Sequence, residues 1–179
     1  MNSEAVDIAP WTAADGTAVT LRRIEPSDLA LEQEFVNGLS RQTGYQRLLS
    51  SRHLSPEEVR RFTEIDVERE YALIATTRDP AGEREIGVAR YVKEPDSDAA
   101  EFAIVLADDW QGRGLGHRLL SSLVAQAKRR GVRRLFGTTL SGNKAMLALA
   151  HRVGFVATLD PGSASMTDLT LDLVREDSC

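Results

Sequence analysis

Apolar and polar residues recur along this chain with two different periods, and each change of period marks a new element. Val19, Leu21 and Ile24, interleaved with Thr17 and Thr20, predict a first strand over Ala18–Arg23, preceded by a turn at Asp15-Gly16. Leu29, Leu31, Phe35, Val36 and Leu39 then follow an approximately helical spacing, with Ser27 or Asp28 placed to cap the helix. Tyr45, Leu48 and Leu49 suggest a second, shorter helix. Ser55-Pro56-Glu57-Glu58 starts a third: a capping hydroxyl, a proline where no N–H is needed, and acids at the positive end of the dipole. Val59, Phe62 and Ile65 give it a stripe to bury. Residues 1–10 carry no such pattern and are expected to be loose.

The period shortens at Tyr71. The run Tyr71-Ala72-Leu73-Ile74-Ala75, the turn Asp79-Pro80-Ala81-Gly82 and a strand over 85–91 predict a hairpin. A further turn at Pro95-Asp96-Ser97-Asp98 leads to a third successive strand, Ala99–Leu106. A long amphipathic helix follows Gly116, with Leu119, Leu120, Leu123, Val124 and Ala127 on one side. Lys128, Arg129 and Arg130 complement its negative end, and Gly131 stops it. Next come a strand over 133–139 and a helix capped by Ser141 or Asn143, with Ala145, Met146, Leu149, Ala150 and Val153 inward and Gly154 at its end. Strands over 155–158 and 166–174 close the chain. Adjacent strands with helices between them predict a mixed sheet of about seven strands with four or five helices, an α/β (α+β mixed) fold in one domain with its core over about 18–174.

Composition narrows the setting. Hydrophobic residues make up 42% of the 179 and charged residues 27%, which are globular values. A formal charge of −5 argues against a nucleic-acid binder. The single cysteine, Cys179, has no internal partner for a disulfide. There is no signal-peptide pattern and no apolar run long enough for a membrane span, so a cytoplasmic protein without membrane or nucleic-acid partners is expected. His53 and His117 lack metal-ligand spacing with other residues, and no metal is expected.

The chemistry concentrates between Glu101 and Gly116, where a strand runs into Gly112-Arg113-Gly114-Leu115-Gly116 and then a helix. Free N–H groups at a helix start and a close-approaching glycine backbone make a cradle for phosphate. A dinucleotide fingerprint needs its third glycine where this chain has His117. The acid it expects about 20 residues on falls near Arg133 and Arg134. A P-loop needs Lys-Ser/Thr where Gly116 is followed by His117-Arg118. What remains, Gln111-x-x-Gly114-x-Gly116, resembles the coenzyme A loop of the GNAT acetyltransferase superfamily. The strand ending near Thr139, Asn143 at a helix start, and Gly154-Phe155 after that helix fit the same family. Further segments resemble the acetyltransferase domain of bacterial protein-lysine acetyltransferases. These are Phe62-Thr63-Glu64-Ile65-Asp66 with Glu68-Arg69-Glu70, Glu85-Ile86-Gly87-Val88-Ala89-Arg90, Ala100-Glu101-Phe102-Ala103, and Met146-x-x-Leu149-Ala150. The likeness covers about residues 21–173.

The resemblance implies acetyl-CoA as co-substrate and a protein acceptor, an acyl-CoA synthetase among the candidates. It places the pyrophosphate on N–H groups from Gly112, Arg113, Gly114, Leu115, Gly116 and His117 after Gln111, with Arg113 and Arg118 adding charge. It lays the pantetheine arm along Ile104, Val105 and Leu106, makes the Leu106 N–H the donor to the thioester carbonyl, and gives Asn143 a contact to the cofactor besides its role as a cap. Lysine's pKa of about 10.4 leaves less than about one per cent neutral near pH 7, so a base is needed. Glu101, an acid interrupting an apolar strand, matches the family's base. Asp66, Glu68 and Glu70 form a weaker set that reads first as a charged loop. The tyrosine acid of many superfamily members is replaced by Ala150, beside His151. Acceptor alternatives are a small amine or amino acid, and a non-catalytic acyl-CoA sensor keeps the loop without needing Glu101. Relatives fused to synthetase-like or cyclic-nucleotide-binding domains are larger than this chain, so their regulation is not expected here.

Overall fold

The computed structural model describes residues 10–48 and 54–174. Strands β1 (Trp11–Thr12) and β2 (Ala18–Arg23) precede three helices, α1 (Leu29–Gly38), α2 (Arg41–Leu48) and α3 (Pro56–Thr63). Strands β3 (Glu70–Asp79), β4 (Gly82–Lys93) and β5 (Ala99–Leu106) follow in succession. Helix α4 (Leu115–Arg129), β6 (Arg134–Leu140), α5 (Lys144–Val153), β7 (Val156–Asp160) and β8 (Ser163–Asp172) complete the order. All eight strands join one mixed sheet, β1-β2-β3-β4-β5-β6-β8-β7. The eighth strand is β1, whose two residues pair with Ala18 and Val19 across the Asp15-Gly16 turn. A strand that short has no period to read. Among the described residues no helix is long and apolar enough to cross a membrane. Leu49, His53 and Cys179 lie outside the described residues, as do residues 1–9.

Helix α4 supplies the main core. Leu115, Leu119, Leu120, Leu123 and Ala127 are fully buried, and α4 packs on β3, β4 and β5. Each such leucine contributes about 1.5–3 kcal/mol of transfer free energy. By strand alternation Leu73, Ala89 and Tyr91 face α4, while Ile74 and Val88 face the other side, where α1 lies against β4.

Helix starts follow local chemistry at two sites and depart from it at a third. Ser55 accepts from the Glu58 N–H at 3.3 Å while Glu58 accepts from the Ser55 N–H at 2.8 Å, a reciprocal cap. Asn143 caps α5 by accepting from the Met146 N–H at 3.1 Å. The cap expected on α1 from Ser27 or Asp28 is not made. A one-turn 3-10 helix, Pro26–Asp28, runs directly into α1. The Asp28 carboxylate instead accepts two 2.8 Å hydrogen bonds from Arg22 and one of 2.7 Å from the Glu25 N–H. A strand arginine is the stronger partner for a buried carboxylate.

All neighbouring strands are antiparallel except β5 and β6, which are joined through α4. Their parallel pairing covers Ala99↔Arg134, Ala100↔Leu135 and Glu101↔Phe136 and then stops, so the sheet forks. Gly137 stands just past the last rung. A Cβ there would lie 3.0 Å from the Phe102 ring and 3.1 Å from the Phe102 carbonyl oxygen. A side chain here would press on the Phe102 ring and carbonyl, so the glycine eases the close approach of the two strands at the vertex. Gly137→Val is expected to cost about 1–3 kcal/mol of stability, read as a lower urea midpoint.

Candidate active site

A cavity of about 600 Å³ occupies the fork. Its lining includes Ile104 and Leu106, which face the α4 side of the sheet, and Ala103 and Val105, which face the opposite side. The cavity therefore passes around the free edge of β5 and reaches both faces. On the α4 side it meets the glycine loop and α5, through Asn143, Met146 and Leu149. On the other it meets Arg90 of β4 and Phe62 of α3. Ala145, expected to pack inward, is exposed because it faces this cavity.

The edge of β5 is oriented by its ladder. The Ala107 N–H is spent on Ile86 at 2.9 Å, on the β4 side. Alternation along the strand turns the N–H and C=O of Leu106 the other way, into the fork. The Leu106 side chain is seated between two glycines: a Cβ on Gly87 would lie 2.8 Å from it, and one on Gly116 would lie 3.3 Å from it. Gly112 and Gly114 hold φ of 71° and 86°, a backbone that other residues rarely adopt. The first helical bond of α4 runs from the Arg118 N–H to the Gly114 carbonyl at 3.3 Å. The N–H groups of Leu115, Gly116 and His117 thus precede the ladder. A peptide-like arm beside β5 and an anion at α4 both fit this geometry.

Of the residues singled out from the sequence, Ile104, Val105, Leu106, Gln111, Gly112, Gly114, Gly116, His117 and Asn143 line the cavity. Leu115 is buried in the core. Arg113 lies beside the cavity: its guanidinium stacks on Trp110, 4.0 Å from the ring centroid, and pairs with Asp15. Glu101 is exposed on the last paired rung, opposite Phe136 on β6 and Val92 on β4. It shares its face with Ala103, two residues along. Asp66 and Glu68 are exposed, with the Asp66 carboxylate accepting from the Glu68 N–H at 3.1 Å. Glu70 is buried and pairs with Arg61. His151 is exposed on the last turn of α5, outside the cavity lining.

The far side of the cavity was missed. Arg90 stacks over Phe62, 4.6 Å from the ring centroid, and donates to the Phe62 carbonyl at 3.2 Å. Behind it, 3.9 Å away, lies Glu32 of α1, whose side chain is fully buried. A signal existed. Glu32 sits three residues after Leu29 and three before Phe35, on the stripe that α1 must bury. A second missed group is Asp108. Its carboxylate accepts from the Ser40 N–H at 2.9 Å and from the Ser40 and Thr43 hydroxyls, each at 2.7 Å. Burial pushes this carboxyl up, but the Ser40 and Thr43 hydrogen bonds outweigh it and hold it below the usual carboxylate value.

Residues 18–156 match the family model described as an acetyltransferase (GNAT) domain. Acetyltransferase PA5475 of Pseudomonas aeruginosa is 32% identical, over 90% of this chain and 88% of its own length. Acetyltransferase Pat of Mycolicibacterium smegmatis is 30% identical over 89% of this chain, which spans only 48% of that longer protein. Among solved structures, the GNAT domain of S. lividans PAT superposes with a TM-score of 0.81 at 27% identity, covering 92% of this chain and 96% of its own.

Asn143 occupies two environments at once, capping α5 and lining the cavity. Asn143→Ala is expected to lower unfolding free energy by about 1 kcal/mol. Asn143→Asp, which keeps the capping oxygen, should leave it unchanged in the same urea titration.

Proposed function

Because the chain belongs to the GNAT acetyltransferase family, we propose that it moves the acetyl group of acetyl-CoA directly onto a lysine side-chain amine of a protein. The observation that carries this reading is the fork itself. One free strand edge offers the inward-facing Leu106 N–H, and an exposed acid stands on the rung where pairing ends. Acetyl-CoA supplies a thioester whose carbonyl carbon the amine attacks. The phosphates rest on the α4 start, and the pantetheine arm lies along residues 104–106. The Leu106 N–H receives the charge that develops on the carbonyl oxygen; as a backbone donor it needs no particular side chain. Glu101 takes the proton that the ammonium must lose, directly or through one water, onto a carboxylate oxygen. A C–N bond forms, the C–S bond breaks, and the thiolate leaves without a tyrosine, since Ala150 stands where many relatives have one.

Two features favour a protein acceptor. Glu101 is exposed rather than enclosed, so an acceptor too large to enter the cavity still reaches it. Three of the segments that resemble protein-lysine acetyltransferases, those containing Phe62, Arg90 and Glu101, also meet on this side of the fork. A second reading has one specific support: Arg90 places a guanidinium at the acceptor end, where the carboxylate of a small amino acid could pair with it. Mass spectrometry of acetyl transfer separates the readings, using acetyl-CoA with a panel of purified proteins, acyl-CoA synthetases included, and free amino acids. Lysine acetylation on a protein is the expected product; acetylated free amino acids alone would reverse the assignment.

Glu101→Gln is expected to lower acetyl transfer by about 10²-fold or more while acetyl-CoA still binds. Stopped transfer assays alongside calorimetry check this. Unchanged turnover removes Glu101 as the base. Tight binding with no turnover of any amine by the unaltered protein indicates a sensor.

A further inference from the structure

Gln111 opens the glycine motif, and its side-chain amide is held by β5 and α2. Its amide donates to the Leu106 carbonyl at 3.4 Å and to the Thr43 hydroxyl at 3.2 Å. Thr43 is buried, with 6% exposure, and lines the cavity from α2. A hydroxyl has one proton to give. Thr43 gives it to the Asp108 carboxylate at 2.7 Å, which leaves its lone pairs for Gln111. Asp108 is held in turn by the N–H and hydroxyl of Ser40, at 2.9 and 2.7 Å, at the entry to α2. The Ser40 hydroxyl also accepts from the Thr43 N–H at 3.2 Å, closing the turn. The bonds from Ser40 and Thr43 to Asp108 and Gln111 span 65 to 68 residues of sequence and tie α2 to the end of β5.

We propose that Thr43 and Asp108 are positioning residues for acetyl transfer, acting through Gln111 to fix the end of β5 and with it the direction of the Leu106 N–H. The proposal rests on the reading of that N–H as the donor to the thioester oxygen. The peptide joining Leu106 to Ala107 is gripped from both sides, its carbonyl by Gln111 and its N–H by the Ile86 carbonyl. With that plane fixed on one side of the Leu106 Cα and the side chain lodged between Gly87 and Gly116, little rotation is left to the peptide carrying the Leu106 N–H. Without Thr43, the Gln111 amide loses the partner that keeps it turned inward. The Leu106 carbonyl is then free to tilt, and a donor displaced from the developing charge stabilises it poorly.

Thr43→Val keeps the shape and removes the hydroxyl. It is expected to lower kcat about tenfold, to leave the Kd for acetyl-CoA within about twofold by calorimetry, and to be largely rescued by Thr43→Ser. Asp108→Asn should give the same split between kcat and binding. Amide exchange over residues 104–111 should quicken in Thr43→Val at unchanged global stability. An unchanged kcat overturns the proposal. So does acetyl-CoA binding that weakens in step with kcat, because the Gln111 side chain would then be a cofactor contact. Exchange requires no acceptor. Unaltered protection in Thr43→Val rejects the positioning role even if no acceptor is known. Faster exchange in a protein that transfers to no amine supports the role and counts against the lysine reading.

Discussion

Backbone hydrogen bonding sets the terms for this molecule. A strand inside a sheet has its N–H and C=O groups paired on both edges, and a buried group left without a partner is costly. Here β5 keeps both neighbours only as far as Glu101↔Phe136 and then keeps one. The rest of the strand, to Leu106, faces a cavity along its β6 side, where the Gln111 amide takes the Leu106 carbonyl. Much else in the fold serves to keep that gap open and of constant shape. Gly137 lets β6 approach β5 closely at the vertex, so the divergence starts sharply. The leucine-lined side of α4 anchors the helix on three strands, and its first turn thereby faces the gap.

Polar ties surround the opening. Asp108 fastens α2 to the loop that follows β5. Asp15, in the turn after β1, fastens Arg113 from the opposite side of that loop, with Trp110 beneath the guanidinium. Arg90 joins β4 to α3 through Phe62, with the Glu32 carboxylate behind it on α1. Of these ties, the exposed Asp15–Arg113 pair contributes little to stability, typically about 0–1 kcal/mol. Their significance is positional: each links an element distant in sequence to a wall of the same cavity.

Features that depend on local order were legible in the sequence. The period-2 runs gave the β3–β4 hairpin and β5, and the glycine spacing together with His117-Arg118 and Arg133-Arg134 set aside dinucleotide and nucleoside-triphosphate loops. The capping signals at Ser55 and Asn143 were correct because both are satisfied within three residues. Features that depend on a distant partner were not legible. Asp28 looks like a helix cap until Arg22 is brought beside it. Thr43 and Asp108 have no shared signature, being 65 residues apart. β1 is too short for any pattern, and only its turn left a trace. Glu32 was readable, since an acid on the apolar stripe of α1 needs an explanation, and its partner Arg90 interrupts the apolar run 86–92 of β4 in the same way.

The cavity is lined from both faces of the sheet, by the α4 loop on one and by Arg90 and Phe62 on the other. On the proposed function, cofactor and acceptor would approach and leave by opposite faces of the sheet. On the lysine reading, coenzyme A is free to depart and be replaced while the acceptor protein stays docked. Such an arrangement permits processive modification of neighbouring lysines in one encounter, with the residence time of the acceptor setting how many are marked.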